Sequence, residues 1–233
     1  MKKGILFAAV CWMMAVLLIG CGSQQEKAAV ADSESLAQEQ YERLLAGDRA
    51  LLEAFEAEGW WVPDFQQEME YEYVYMDLDQ DAQEELVVQM ADNPGGYNGI
   101  FYFADGRLIC WNSDGTEMSG RDYPLQDGTM VRQYDWNGTQ SYTLFHYQSD
   151  GEIKELENLF VRRENIPEDS TQPCPYYEVN GKEVEQSEFE AQLQEKILDR
   201  LLQRDAWTAL CSSFPFYKEK KRSVFVRRTG ITF

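Results

Sequence analysis

Asp77, Asp79, Asp81 and Glu85 stand in the stretch MDLDQDAQEELVVQM, residues 76–90. Five acidic side chains fall within nine residues there, between segments that read as strands. Hard cations such as Ca²⁺ take six to eight oxygen ligands at short, fixed distances. Carboxylates at alternate positions of a tight loop can wrap one point and supply them. The plainer reading is a charged turn, in which the aspartates cap backbone amides and face water. An EF-hand fails on spacing: glycine is expected at position six and a bidentate glutamate at position twelve, where this chain has Ala82 and Val88.

Other residue types offer less chemistry. His146 is the sole histidine, so multi-histidine metal sites are excluded. No G-x-S-x-G nucleophile motif occurs. Carboxylates are abundant, yet no pair is singled out by an apolar setting, as glycosidase chemistry would need. Residues 92–99, DNPGGYNG, lack the lysine and following helix of a phosphate loop and read as a mobile loop beside the acidic site. No nucleic-acid motif is present, and a net charge of −20 repels nucleic acid and anionic lipid while favouring solubility. Of five cysteines, Cys110, Cys174 and Cys211 fall in the body of the chain without metal-ligand spacing. They allow at most one disulfide, and Cys110 in RLICW reads as a buried apolar residue.

The elements that must position the acidic loop are legible from periodicity. Residues 35–58 read as helix, with Leu36, Tyr41, Leu44, Leu45, Leu51, Leu52 and Phe55 near helical spacing. Gly47-Asp48 can close one helix and cap a second. Trp60 and Trp61 in GWWVPDF read as a packing corner, although paired tryptophans also suit sugar stacking. From residue 68 to 184 the period changes to two. Tyr71, Tyr73 and Tyr75 alternate with Glu70, Glu72, Val74 and Met76. Asp105-Gly106, Asn137-Gly138, Asp150-Gly151 and Asn180-Gly181 mark tight hairpins, and Asp114-Gly115 and Asp127-Gly128 mark looser turns. The expectation is an α+β fold: an antiparallel β-meander of about seven to nine strands, with N-terminal helices and one C-terminal helix packed on it. That last helix covers 187–204, with a Ser187/Glu190 capping box and a stripe of Phe189, Leu193, Ile197 and Leu201. Residues 35–204 form a single domain in this reading. The basic tail, 205–233, is expected to be partly disordered, lying against the acidic domain or near lipid headgroups.

The first residues carry an address. Lys2 and Lys3 precede an uncharged run, Gly4 to Ile19, short for a membrane span. It ends in Leu18-Ile19-Gly20-Cys21, which resembles the lipobox of bacterial lipoproteins. The resemblance implies a signal peptide over 1–20, lipidation of Cys21, and anchorage at the extracytoplasmic face of the cell membrane. Each buried acyl methylene would contribute about 0.8 kcal/mol. Residues 21–34, small and polar, read as a flexible tether.

The stretch DLDQDAQEELVV resembles the D-x-D-x-D-G-x-x-[DE]-L loop of FG-GAP and VCBS-type repeats, and the single such segment of many small Firmicutes lipoproteins. In those families the loop joins two strands and often holds Ca²⁺. The resemblance implies side-chain oxygens from Asp77, Asp79, Asp81 and Glu85 and the carbonyl of Gln83, with near-millimolar affinity and a structural role. Ala82 and Gln80 replace two common glycines, and a left-handed alanine costs about 1–2 kcal/mol. The functional expectation is a membrane-anchored, non-catalytic domain binding a ligand, a glycan or an envelope protein. A cell-wall or glycan hydrolase and a structural or assembly lipoprotein are the alternatives.

Overall fold

The computed structural model describes residues 33–67, 69–115, 120–163 and 174–210. The signal segment, Cys21, Cys211, the tether up to residue 32 and the tail from residue 211 lie outside the described residues. Among the described residues no helix is long and apolar enough to cross a membrane.

The fold is α+β. Helix α1 covers 33–45, so it takes in the last two residues expected in the tether. Gly47 turns the chain at φ +74°, and Asp48 caps α2, Arg49–Ala57, by accepting from the Ala50 and Leu51 amides. Ala37, Tyr41, Leu44, Leu45 and Phe55 are the buried side of this pair. Leu36 is exposed instead, because Ala37 occupies the inward position one residue later.

Among the described residues eleven strands follow, two beyond the seven to nine expected: Gly120–Pro124 and Thr208–Ala209 are too short to carry a periodic signal. β1 (Tyr71–Met76), β2 (Glu85–Met90), β3 (Asn98–Ala104) and β4 (Arg107–Asp114) form consecutive antiparallel neighbours. The chain then enters a second sheet at β5 (Gly120–Pro124), which continues through β6 (Met130–Trp136), β7 (Thr139–Tyr147), β8 (Ile153–Arg162), β9 (Tyr176–Val179) and β10 (Lys182–Glu183). Type I′-like pairs, Asp105-Gly106, Asn137-Gly138 and Asn180-Gly181, have positive φ at both residues and join three of the hairpins.

Period-two alternation divides the side chains between three apolar clusters. Leu86 and Val88 of β2, with Tyr71 and Phe101, face the N-terminal helices. Val87 points the other way, to Leu78, Ile100, Met130, Phe145 and Tyr147 between the two sheets. Val131, Leu144, Leu159 and Val161 face α3 (Gln186–Lys196) across the outer side of the second sheet. The result is a four-layer stack of helices, sheet, sheet and helix. Trp111 is stacked between Tyr102 and Tyr147, with centroids 4.6 and 5.1 Å away, and ties β3, β4 and β7 together.

The C-terminal part differs from expectation. α3 ends at Lys196, short of 204, and a 3-10 turn, Leu198–Arg200, follows. Arg200 donates to the Lys196 carbonyl, and Leu201 is extended, bridging to Leu125. Phe189, Leu193, Ile197 and Leu201 still share one apolar cluster. The capping box does not form: Glu185 is the N-cap, Ser187 lies inside the first turn, and Glu190 accepts from Gln186. Residues 205–210, expected in the loose tail, are structured. Arg204 pairs with the buried Glu72, Trp207 packs on the inter-sheet cluster, and β11 (Thr208–Ala209) pairs antiparallel with β1.

Candidate metal centre in the β1–β2 loop

Residues 77–84 connect β1 to β2, and their own side chains shape the turn. Asp77 accepts from the Gln80 and Ala82 amides, Asp79 from Asp81, and Asp81 from Gln83. These local bonds hold Gln80 and Ala82 at φ +67° and +72°, the positions where the resembling families place glycine. Ala82→Gly is therefore expected to stabilise the protein by about 0.5–1 kcal/mol, since relief of strain outweighs the added freedom of the unfolded chain. Urea denaturation of the variant checks this.

Neighbouring elements clamp the loop. Leu78 is fully buried in the inter-sheet cluster. The Tyr41 hydroxyl donates to the Glu84 carbonyl, and the Gln83 side-chain amide to the Phe103 carbonyl. On the second sheet, a Cβ at Gly128 would collide with the Asp77 carbonyl oxygen, so only glycine admits this approach. His146 lies on β7 with its ring 3.3 Å from the Gln80 amide nitrogen.

The structure brings Asp77, Asp79 and Glu85 together, each with a carboxylate oxygen within 4.8 Å of the others. Asp81 is not in this group; its carboxylate turns to the Gln83 amide and the Tyr102 hydroxyl. Gln83 lies in the same loop, its side chain engaged on Phe103. Glu85 is wholly buried. Its Oε2 accepts from the Leu78 amide at 2.7 Å, while Oε1 has no hydrogen-bond partner among the described residues. Asp79 Oδ2 is buried and unpartnered in the same sense.

Burial pushes the Glu85 carboxyl up to about 8, against the lowering effect of the Leu78 amide, and the nearby aspartates add to the rise. Burial and the Asp81 charge also raise Asp79. Two orphaned oxygens beside a third carboxylate call for a positive charge, supplied either by protons or by a cation. The donor set is entirely hard oxygen, which suits Ca²⁺ or Mg²⁺ and not a thiophilic metal.

Other candidates from the sequence fall elsewhere. Trp60 packs on the helix cluster, whereas Trp61 is 63% exposed and lines an open cleft of about 770 Å³ beside α2. Trp61 also packs edge-on against the buried Tyr97, with ring centroids 5.7 Å apart, so both tryptophans take part in the packing corner and both line the cleft. The glycine-rich loop 92–97 adjoins the far end of β2, opposite the acidic loop and not beside it. Cys110 is buried, and burial pushes its thiol up to about 12; it and the half-buried Cys174 are both free thiols.

No protein-family model, no curated protein and no solved structure matches the chain.

Proposed function

We propose that the protein is a lipid-anchored, extracytoplasmic, non-catalytic domain that binds a ligand or an envelope component, and that a structural Ca²⁺ in the β1–β2 loop fixes the register of those two strands. The observation that carries the cation is the sealed Glu85 carboxylate with an orphaned oxygen beside Asp77 and Asp79. The Leu18–Cys21 segment supports the anchor. Asp77, Asp79 and Glu85 would hold the ion, with the Gln83 carbonyl as the resemblance implies. A bound cation supplies fixed positive charge to a loop pinned to both sheets. The chain's own residues do the rest: Leu78 roots the loop in the apolar layer, and Gly128 lets the second sheet close on it.

Calorimetry of metal-stripped protein tests this. At about 10 mM Ca²⁺ and a dissociation constant of about 1 mM, the gain is ~1.4 kcal/mol and Tm rises by roughly 3–6 °C. Asp79→Ala removes the rise. An unchanged Tm in the unmodified protein overturns the cation assignment.

A further inference from the structure

We propose that the seam between the two sheets, at the end remote from the acidic loop, is a binding site for an uncharged saccharide; this rests on the ligand-binding reading above and gives that reading a place and a ligand class.

β3 and β4 of the first sheet meet β5 and β6 of the second along this seam. A cavity of about 230 Å³ opens there, lined by Asn98, Asn112, Asp122, Arg132 and Tyr134 with Pro94 beside them. A second cavity, about 220 Å³, shares Pro94, Arg121 and Asp122 with the first and runs to Tyr123 and Trp207. The two cavities adjoin along Pro94, Arg121 and Asp122.

Three observations define its chemistry. The first is a spare donor. Asn98 is 5% exposed, and its side-chain oxygen accepts from the Asn112 amide, which fixes the orientation of the group. Its Nδ2 is then left buried with no hydrogen-bond partner among the described residues. A buried amide donor without an acceptor is costly, and a ligand oxygen removes the cost.

The second is balanced charge. Arg132 makes three hydrogen bonds to the Asp122 carboxylate, at 2.8–3.2 Å. Arg121 donates twice to Gln133 and lies 4.9 Å over the Tyr123 ring. With Asp114 the lining carries two positive and two negative side chains, a balanced patch in a chain of net charge −20. Such a lining does not select a charged ligand, yet the carboxylates keep lone pairs for hydroxyl donors.

The third is a platform. Tyr134 stands opposite Gly120 across β5 and β6, and a Cβ at Gly120 would come within 2.5 Å of the ring. The ring therefore lies on the bare glycine backbone. Its residue is 50% exposed, leaving aromatic surface at the mouth of the cavity. An aromatic surface, a spare amide and a charge-balanced lining suit the C–H face and hydroxyls of a pyranose. The Trp61 cleft, by contrast, is lined by Glu53, Glu56 and Asp64 against a single arginine, so it carries excess negative charge.

The test is isothermal titration of the full-length chain with cellobiose, maltose and chitobiose, with glucosamine and galacturonate as charged counterparts and a neutral dipeptide as a different class. The expected result is binding of a neutral disaccharide at millimolar or tighter affinity. Tyr134→Ala, at an exposed position that leaves the core intact, weakens it about tenfold or more. Asn112→Ala weakens it as well, and Trp61→Ala leaves it unchanged. Disaccharide binding that survives Tyr134→Ala at full strength overturns the site but leaves the ligand-binding reading standing. Binding of only charged sugars, or only the dipeptide, overturns the ligand class. Silence across the panel overturns the proposal, and an envelope-glycan extract that leaves nothing bound to the unmodified chain overturns the broader reading with it.

Discussion

Glu85→Gln is expected to make the cation-free protein more stable at pH 8, by about 2–4 kcal/mol, and to abolish its response to Ca²⁺. Glutamine keeps a carbonyl for the Leu78 amide and has nearly the same shape, but it carries no charge into a fully buried position. In the unmodified protein the folded-state carboxyl is raised to about 8 from an ordinary 4.5. The folded state then holds a proton that the unfolded chain releases across that interval. Stability of the cation-free protein accordingly falls as pH rises from about 4.5 to 8, and is insensitive to this group at lower pH. Glu85→Gln flattens the slope. Ca²⁺ flattens it too, by replacing the proton. Melting curves at pH 5, 6, 7 and 8, with chelator and with Ca²⁺, measure all three statements. A cation-free protein whose stability rises through this range, with no change in Glu85→Gln, would contradict them.

Phe145→Ala should have the largest destabilising effect, about 3–5 kcal/mol, with Tm lower by roughly 10 °C or more. Phe145 is fully buried on the face of β7 that meets the first sheet. It packs edge-on to Tyr147 at 5.5 Å, and the Arg132 guanidinium lies 5.3 Å over its ring. Its cluster also contains Leu78, the apolar root of the acidic loop. The void left by truncation therefore opens between the sheets and under the loop together. Urea denaturation gives the stability loss, and calcium titration of the variant should show weaker binding than the parent. Phe145→Leu, which keeps most of the volume, should cost less than about 1.5 kcal/mol.

Local chemistry was readable from residue types; distant pairing was not. Gly47-Asp48 broke the N-terminal helices where it stood, because a left-handed glycine and a capping carboxylate act within one turn. The Asn-Gly and Asp-Gly hairpins formed for the same reason. Tyr71, Tyr73 and Tyr75 alternated as expected, since one face of β1 meets the helices. The split of the meander into two sheets was not legible, because both halves share one period. Nor was the loss of the Ser187/Glu190 box, where Gln186 competes for the same glutamate. In the acidic loop, spacing picked out Asp77, Asp79 and Glu85, but the turning away of Asp81 depends on Tyr102, 21 residues on. Asn98, Asn112 and Tyr134 reach one cleft only through the register of two sheets.

The pairing of Thr208 and Ala209 with β1 has a consequence for biogenesis. The first β-strand of the chain borders one of the last, so the opening sheet stays one member short until residue 209 of 233 has been synthesised. Contacts of such long sequence separation form late and slowly. The outer edge of β1 is therefore expected to be the last part of the first sheet to close, after β1 to β4 have paired with their neighbours in the chain.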